Sequence, residues 1–422
     1  MTLTYPAKKN RFNQSVDLMN GPIFKSLVLF MLPILVSNLF QQLYNTVDTM
    51  IVGNVLGDEA LAAIGACGSI YELLVGFGLG IGNGLAIVAA RSYGAQDEDL
   101  LKKTVAGSLI IGLAASVLIT LAGLVGLHPL LVLLDTPAEI LEEAYGYIHI
   151  IDLGVLVMFA YNLCAGLLRA IGNSVMPLVF LLISSALNVV LDILFIAYGG
   201  MGVRGAAVAT VLSQGVSVVL CIFYIFAKTK ILLPEKKHFH IHKKLYWDLF
   251  SQSISMGLMS SIVSAGSVVL QYGINGLGTK VIAGHTAARK LFAFTDMPLI
   301  AMANAASTYV SQNYGAGKPE RVRRGMRDIY LYCVVVTVLS AVLGVLLSTR
   351  YALQSLGQKV LPLFSSVIEF VGKILFVLLF IPRFAYDAVI LCEPIIWCFM
   401  TAELVFVYVR DPFITSGTPA RR

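Results

Sequence analysis

Residues 24–52 read FKSLVLFMLPILVSNLFQQLYNTVDTMIV, an apolar run whose only charged side chains are Lys25 and Asp48. A helix needs roughly 20 mostly apolar residues to cross the hydrocarbon core of a bilayer, so this run predicts a membrane-spanning helix. Ten further runs of the same kind follow, at about 60–90, 105–127, 139–168, 176–198, 203–227, 247–277, 281–310, 328–348, 360–382 and 385–409. None alternates apolar and polar residues as a membrane β-strand does. The sequence therefore predicts eleven helical spans.

The overall composition points the same way. Of the 422 residues 58% are hydrophobic and 13% are charged, and the mean hydropathy is +0.83. A soluble domain carries about 25% charged residues, and so few charges cannot cover so large an apolar interior. An ordinary soluble enzyme, a disordered chain and a secreted disulfide scaffold are excluded. We expect an all-α polytopic protein of the cell membrane whose surroundings are the lipid bilayer.

Other classes of site lack a signature. The six cysteines lie in apolar runs without C-x-x-C spacing or clustered histidines, so neither a metal site nor a disulfide framework is predicted. No nucleophile, histidine and acid are arranged as in a hydrolase, and no enzyme activity or cofactor is expected. The net charge of +6 is not gathered into a basic stripe with interleaved aromatics, so no nucleic-acid partner is expected.

Basic residues set the predicted orientation. The segment before the first span and every second loop after it hold 18 lysines and arginines, whereas the opposite loops, up to the connection between the seventh and eighth spans, hold only Arg204 and Lys280. Cytoplasmic loops carry the excess of positive charge. The N-terminus is therefore predicted to be cytoplasmic.

An internal repeat divides the chain. RSYGA at 91–95 is echoed by QNYGA at 312–316, an offset of 221, and LRAIG at 168–172 by LQSLG at 353–357, an offset of 185. The second half is thus 36 residues short, which equals one loop and one span. Two pseudo-symmetric six-helix lobes are predicted, related by an axis along the membrane normal, and the counterpart of the fourth span is expected to be missing from the second lobe.

The predicted domains follow from that repeat. They are a first lobe at 1–227 with spans one to six, a cytoplasmic interlobe loop at 228–246, a second lobe at 247–409 with a deletion near 327–352, and a tail at 410–422. Eleven spans would place the tail outside, although its arginines favour the cytoplasm. Either the helices rearrange, or the chain is a truncated or inactive variant.

Ionisable residues inside a span are costly and mark functional sites by default. Asp48 lies near the end of the first span, and Asn188 and Asp192 share one face of the fifth because they are four residues apart. The alternatives are an Asp48 carboxyl satisfied by Asn45 or Thr49 at the helix end, and an Asn188/Asp192 pair that joins helices. Neither carboxylate recurs at the corresponding position of the second half, which favours a dedicated site in the first lobe.

Other charges in the spans are less specific. Glu369 and Lys373 are four residues apart and are expected to neutralise each other. Glu72 and Asp296 could line a cavity or lie at helix ends, and Asn45 is a further cavity candidate.

The chain resembles the multidrug and toxic compound extrusion (MATE) family. The resemblance runs from about residue 21 to 403 and rests on Pro33, VDT at 47–49, YGA at 93–95, NxxxD at 188–192 and GAAVAT at 205–210. It implies twelve helices in two lobes around a central cavity, and drug efflux driven by a proton or sodium gradient. The second lobe offers no confident match to the acidic residues that some members use there.

The resemblance also implies the site residues. The acidic residue on the family's first helix corresponds to Asp48, and the proline that kinks that helix corresponds to Pro33. The asparagine and aspartate on the family's fifth helix correspond to Asn188 and Asp192, and the threonine on its sixth helix corresponds to Thr210. We expect a monomeric antiporter that exchanges an organic, often cationic, small molecule for H⁺ or Na⁺. The alternatives are a lipid-linked precursor flippase of the same superfamily and a truncated membrane paralogue that does not transport.

Overall fold

The computed structural model describes residues 16–134, 136–275, 279–336 and 360–411, together with 346, 349–350, 352–354, 356–358 and 414–415. Within these ranges the chain is almost entirely helical and contains no strand. The helices are α1 (Ile23–Leu56), α2 (Asp58–Gly94), α3 (Glu98–Leu133), α4 (Ala138–Leu153), α5 (Val155–Ala170), α6 (Val175–Asp192), α7 (Val203–Lys228), α8 (Lys243–Asn275), α9 (Thr279–Gly315), α10 (Pro319–Val336), α11 (Leu361–Leu375) and α12 (Ile381–Arg410).

These helices confirm the all-α membrane fold but not the number of spans. Among the described residues seven helical stretches are long and apolar enough to cross a bilayer, or eight if α4 and α5 form one span that bends by 46° between them. Two of the stretches are Pro362–Phe384 and Leu391–Arg410. They lie side by side, because Gly372 is packed against Ile396 and Lys373 Nζ is 3.5 Å from Glu393 Oε1.

The repeated motifs adopt the same backbone conformation in both halves. Gln96 follows α2 with φ 56° and Gly317 follows α9 with φ 66°, at the offset of 221. Gly172 and Gly357 have φ 89° and 90°, at the offset of 185. Positive φ is uncommon for a residue other than glycine, and Gln96 adopts it where Gly317 stands in the second half. The shared conformation at both offsets supports the repeat read from the sequence.

The segment in which the 36-residue deficit is predicted, near 327–352, lies partly outside the described residues. Among those that are described, the Tyr330 and Thr349 hydroxyls are 2.8 Å apart, and Leu346 and Leu353 are buried in the same core as Ile329. The chain therefore returns beside α10 and forms a hairpin with it. The loss of the fourth span's counterpart stays a prediction.

This hairpin decides where the C-terminal segment lies. Arg321 at the start of α10 donates to the Leu18 carbonyl (3.1 Å), and Arg323 donates to the Ile414 carbonyl. Gln358 donates to Asp411 Oδ2 (2.8 Å). Both described ends of the chain thus lie at one end of the bundle, called here the loop end. In this structure the beginning of the tail, at Asp411 and Ile414, therefore lies on the same side as Leu18 and not on the opposite side.

The interlobe loop packs on the loop end. Its residue His238 is buried, accepts the Glu235 amide at Nδ1 (2.8 Å) and lies 3.3 Å from Asp99 Oδ1 at Nε2. The hydrogen bond from Lys237 to Glu235 lowers the pKa of that carboxyl below its usual range. The loop is therefore held against the start of α3 by polar contacts.

The two halves of the bundle touch closely at the loop end. Gly94 of α2 lies against the Gln312 carbonyl of α9, and Gly315 lies against the Arg91 carbonyl, so that a Cβ atom on either glycine would overlap backbone. Arg91 also reaches α8, where it donates to Gln252 Oε1 (3.1 Å) and is 3.5 Å from Asp248 Oδ2. We call the glycine crossing and these Arg91 contacts the loop-end seal.

The variant Gly94→Ala is expected to lower stability by about 1–3 kcal/mol, the usual cost of inserting atoms into a packed interface. Gly68→Ala on the same helix is the control, because a Cβ atom at Gly68 meets nothing within 4 Å. The midpoint of thermal unfolding in detergent should fall for the first variant only. Equal midpoints would show that α2 and α9 are not packed this closely.

Candidate functional site

The structure brings together the two acids that the sequence singled out in the first half. α1 packs on α6, and the carboxyl groups of Asp48 and Asp192 face each other within hydrogen-bonding range. Asp192 is 0% exposed, and Asp48 is half-buried. Two carboxylates lack a proton donor between them, so this contact is a hydrogen bond only when one of them is protonated.

The pair is not neutralised by the surrounding protein. Among the described residues no partner donates to Asp48 Oδ1 or to either Asp192 oxygen, and neither the nitrogen nor the oxygen of the Asn188 amide has a hydrogen-bond partner, although these atoms are buried. The helix-end alternative for Asp48 is not seen, because the Thr49 hydroxyl donates to the Asn45 carbonyl instead (2.8 Å). Like charges at this separation cannot both persist away from water. The arrangement is suited to holding a proton or a small cation.

Two features around the pair have no counterpart in the sequence reasoning. The phenol group of the buried Tyr147 and those of the half-buried Tyr44 and Tyr71 lie close enough to Asp48 to interact with its charge. Tyr44 is one turn before Asp48 on α1, whereas Tyr71 and Tyr147 come from α2 and α4 and are revealed only by the tertiary structure. A π-helical segment, Ile193–Tyr198, also begins directly after Asp192. Such segments are rare and occur frequently at functional sites.

Thr210 and Pro33 lie farther from the carboxyl pair. Thr210 is buried on α7, but among the described residues its hydroxyl makes no hydrogen bond with Asp48, Asn188 or Asp192. α1 continues through Pro33 as one helix, and the Ser37 hydroxyl donates to the Pro33 carbonyl (2.8 Å). The roles of Thr210 in ion binding and of Pro33 in bending remain predictions.

The three weaker cavity candidates do not join the pair. Asn45 and Glu72 are exposed on α1 and α2. Asp296 is half-buried on α9, where it interacts electrostatically with Glu393 of α12 and has one oxygen without a hydrogen-bond partner among the described residues. Asp296 therefore belongs to a different group of charges in the second half.

That group is a buried network around Lys373. Lys373 Nζ is 2.8 Å from Glu369 Oε1, as the four-residue spacing predicted, and it also approaches Glu393. Arg350 lies 3.9 Å from Glu369 Oε2 and donates to Ser365 Oγ (3.1 Å). Sequence reasoning missed Arg350 because it falls within the segment that was expected to be deleted.

A cavity of about 30 Å³ lies between the two halves near the loop-end seal. It is lined by Asn83 of α2 and Arg169 of α5 on one side, and by Asn304 and Thr308 of α9 on the other. Arg169 lies in the last turn of α5 and lines this cavity.

Metal binding has no visible basis in the part of the chain that the structure describes, where no three His, Cys, Asp or Glu side chains come together.

Comparison with known proteins places these features in a family. The MatE family model matches residues 33–194 and 256–391. The probable multidrug resistance protein YpnP of Bacillus subtilis is 31% identical over 313 residues, which cover 73% of this chain and 69% of YpnP. The multidrug export protein MepA of Staphylococcus saprophyticus is 24% identical over 358 residues, covering 84% of this chain and 77% of MepA.

Solved structures share the fold. An outward-facing multidrug resistance MATE transporter of the MOP superfamily superposes with a TM-score of 0.81 at 22% identity, covering 95% of this chain and 96% of its own. A MOP superfamily transporter from Pyrococcus furiosus gives a TM-score of 0.83 at 22% identity. The match covers 96% of this chain and 100% of the Pyrococcus furiosus chain. The comparisons do not support the flippase or the non-transporting paralogue.

Proposed function

Because the chain belongs to the MATE family, we propose that it is a secondary active antiporter that exports organic, often cationic, compounds in exchange for H⁺ or Na⁺. The names of the relatives YpnP and MepA, which refer to multidrug resistance and export, support this assignment. We place the protein in the cell membrane with the loop end in the cytoplasm, in agreement with the distribution of lysine and arginine. Transport of this kind involves no covalent step.

The single observation that carries the proposal is the Asp48/Asp192 pair. The two carboxyls face each other beside an Asn188 amide that has no partner among the described residues. A bound H⁺ or Na⁺ relieves their repulsion, and Asn188 and Thr210 supply hydrogen bonds or oxygen ligands. The pair lies within one chain, so a monomer suffices for coupling.

Coupling requires that ion and drug bind the two states of the transporter differently. Ion uptake changes the hydrogen bonding of Asp48 and bends α1 at Pro33, which displaces the drug. Exchange between the two sides then requires the loop-end seal to open, because Gly94, Gly315 and Arg91 close that side in this structure. Asn45, Glu72 and Asp296 are proposed to line the path in the open state.

Purified protein in proteoliposomes tests this function. A fluorescent cationic dye is trapped on one side, and a pH gradient or a sodium gradient is imposed separately. Dye movement driven by the pH gradient would identify H⁺ as the coupling ion, and movement driven by the sodium gradient would identify Na⁺. Dye movement under neither gradient, with correctly folded protein, would overturn the proposal.

A further inference from the structure

The segment Val16–Gly21, called here the leading segment, precedes α1 and is packed with the second half of the protein. Its Leu18 side chain is 1% exposed and lies in one core with Tyr309 of α9 and Ile329 of α10. Phe30 of α1 is buried in the same core. The leading segment and the start of α1 therefore pack with the second half, although in the sequence they belong to the first.

The other end of α1 is packed with the first half. Val52 is buried in one core with Ile148 of α4, and Asp48 faces Asp192 of α6. α1 is a continuous helix between its two ends. It therefore connects the two halves, and the acid of the candidate ion site lies toward its first-half end.

Two polar side chains of the second half hold the leading segment by its backbone. Arg321 of α10 donates to the carbonyl oxygens of Leu18 (3.1 Å) and Gly21 (2.9 Å). Asn313 of α9 is 0% exposed, donates to the same Leu18 carbonyl (3.1 Å) and accepts from Arg321 Nε at its own Oδ1 (3.1 Å). Hydrogen bonds from a charged donor are among the stronger ones in proteins. Because the acceptors are backbone carbonyls, these side chains fix the conformation of the segment.

Lys318, in the turn between α9 and α10, adds a further set of contacts. Its Nζ donates to the Met19 carbonyl (3.2 Å) and to Asn20 Oδ1 (2.8 Å). We call Asn313, Lys318 and Arg321 the dock. Both cations of the dock are directed at oxygen atoms of the leading segment, so their hydrogen bonding depends on that segment staying in place.

The first half lacks these donors. At the offset of 221 the three dock positions are occupied by residues without a cationic side chain, namely Ser92, Asp97 and Leu100. Asp97 instead accepts the Leu100 amide at the start of α3 (2.9 Å). The same offset places Val269 opposite Asp48. The dock is thus specific to the helix that carries the ion-binding acid, which separates it from a packing device needed by both halves.

The dock adjoins the loop-end seal. Gln312, the residue before Asn313, contributes its carbonyl to the seal, and its side chain donates to the Ala170 carbonyl of α5 (2.8 Å). The Val16 amide donates to the Gly172 carbonyl, also in the first half (2.8 Å). These contacts between the halves have to break when the loop end opens, and a shift of the leading segment acts directly on them.

We propose that the dock ties α1 to the second half, and that Asn313, Lys318 and Arg321 are positioning residues through which α1 carries ion binding at Asp48 to the loop-end seal. The inference rests on the proposed antiport. A bend of α1 moves one half against the other only if both ends of the helix are held. Without the dock, the start of α1 follows its other end, and ion binding no longer favours one state of the loop end over the other, which is the condition for coupling.

The test compares driven with undriven dye movement in proteoliposomes for the wild-type protein, Arg321→Gln, Arg321→Lys and the control Arg324→Gln. Arg324 is exposed on the same helix, so the control removes the same charge from the same end of the molecule. Arg321→Gln should lower the steady-state accumulation of dye under the gradient about tenfold or more, because it removes several hydrogen bonds from a charged donor. Exchange of dye without a gradient should continue at nearly the wild-type rate. Arg321→Lys should be intermediate, and Arg324→Gln should behave as the wild type.

Hydrogen exchange of the backbone amides shows whether the anchor itself has been released. In Arg321→Gln the leading segment should exchange faster than in the wild type, while α6 around Asp192 should exchange at an unchanged rate. Adding the coupling ion should change exchange in the turn at 312–318 of the wild-type protein, and this response should be absent from Arg321→Gln.

Three results would overturn the anchor. They are wild-type accumulation of dye in Arg321→Gln, an equal loss of driven and undriven movement, and a loss of accumulation while the leading segment stays protected from exchange. In each of these cases the wild-type protein still accumulates dye, so the efflux function stands. A wild-type protein that accumulates dye under neither gradient would contradict the efflux function itself.

Discussion

Replacing Asp192 by asparagine is expected to abolish gradient-driven efflux, with a loss of at least about 100-fold in initial rate. The amide has nearly the same shape as the carboxyl but neither releases a proton nor neutralises a cation. Asp48 would then face a neutral group, and the free energy by which ion binding displaces the drug would be lost. The measurement is dye efflux from proteoliposomes under the gradient that drives the wild-type protein.

Asp152→Asn is the matched control for that experiment. Asp152 is also 0% exposed, and both of its carboxylate oxygens lack a hydrogen-bond partner among the described residues, but it packs against Gly123 of α3 and not against Asp48. This variant should retain efflux. Asp192→Asn should unfold no earlier than the wild type, because it removes repulsion between two acids. Efflux that survives in Asp192→Asn would remove the pair from the coupling mechanism.

The second large effect is expected in the buried network of the second half. Glu369→Leu leaves Lys373 and Arg350 without their shared acid, and breaking a buried ion pair in this way costs about 3–5 kcal/mol. Glu98→Gln removes one acid from a partly exposed i,i+4 helix pair with Lys102 (2.8 Å), where about 0.3–0.5 kcal/mol is typical. Thermal unfolding in detergent should show a large decrease in midpoint for the first variant and almost none for the second.

A double variant distinguishes the charge from the packing. Glu369→Leu combined with Lys373→Met removes the acid together with its closest cation, so part of the lost stability should return. If the double variant is as unstable as Glu369→Leu alone, the defect lies in the fit of the leucine rather than in the unpaired cations.

The helices and the main acids could be predicted from the sequence because the relevant signals are local. Long apolar runs specify helices, and a costly carboxyl such as Asp48 stands out within its own span. Family resemblance implied that Asp48 and Asp192 belong to one site; the structure packs their helices together, and their role in ion coupling stays a prediction. The recurrence of positive φ at Gly317 and Gly357 agrees with a repeat that was visible in short motifs.

The remaining features depend on which helix faces meet, and no local pattern encodes that. Tyr71 and Tyr147 reach Asp48 from helices far away in the sequence. Arg169 ends an apolar run in the sequence, and only the packing of α5 shows that it lines a cavity between the two halves.

The span Pro362–Phe384 of the second half also has a consequence for the surrounding lipid. Its side chains Leu378, Leu379 and Phe384 are exposed and have acyl chains as neighbours in a bilayer. Annular lipid takes over part of the packing there, so this side of the molecule will respond to bilayer thickness and to detergent chain length.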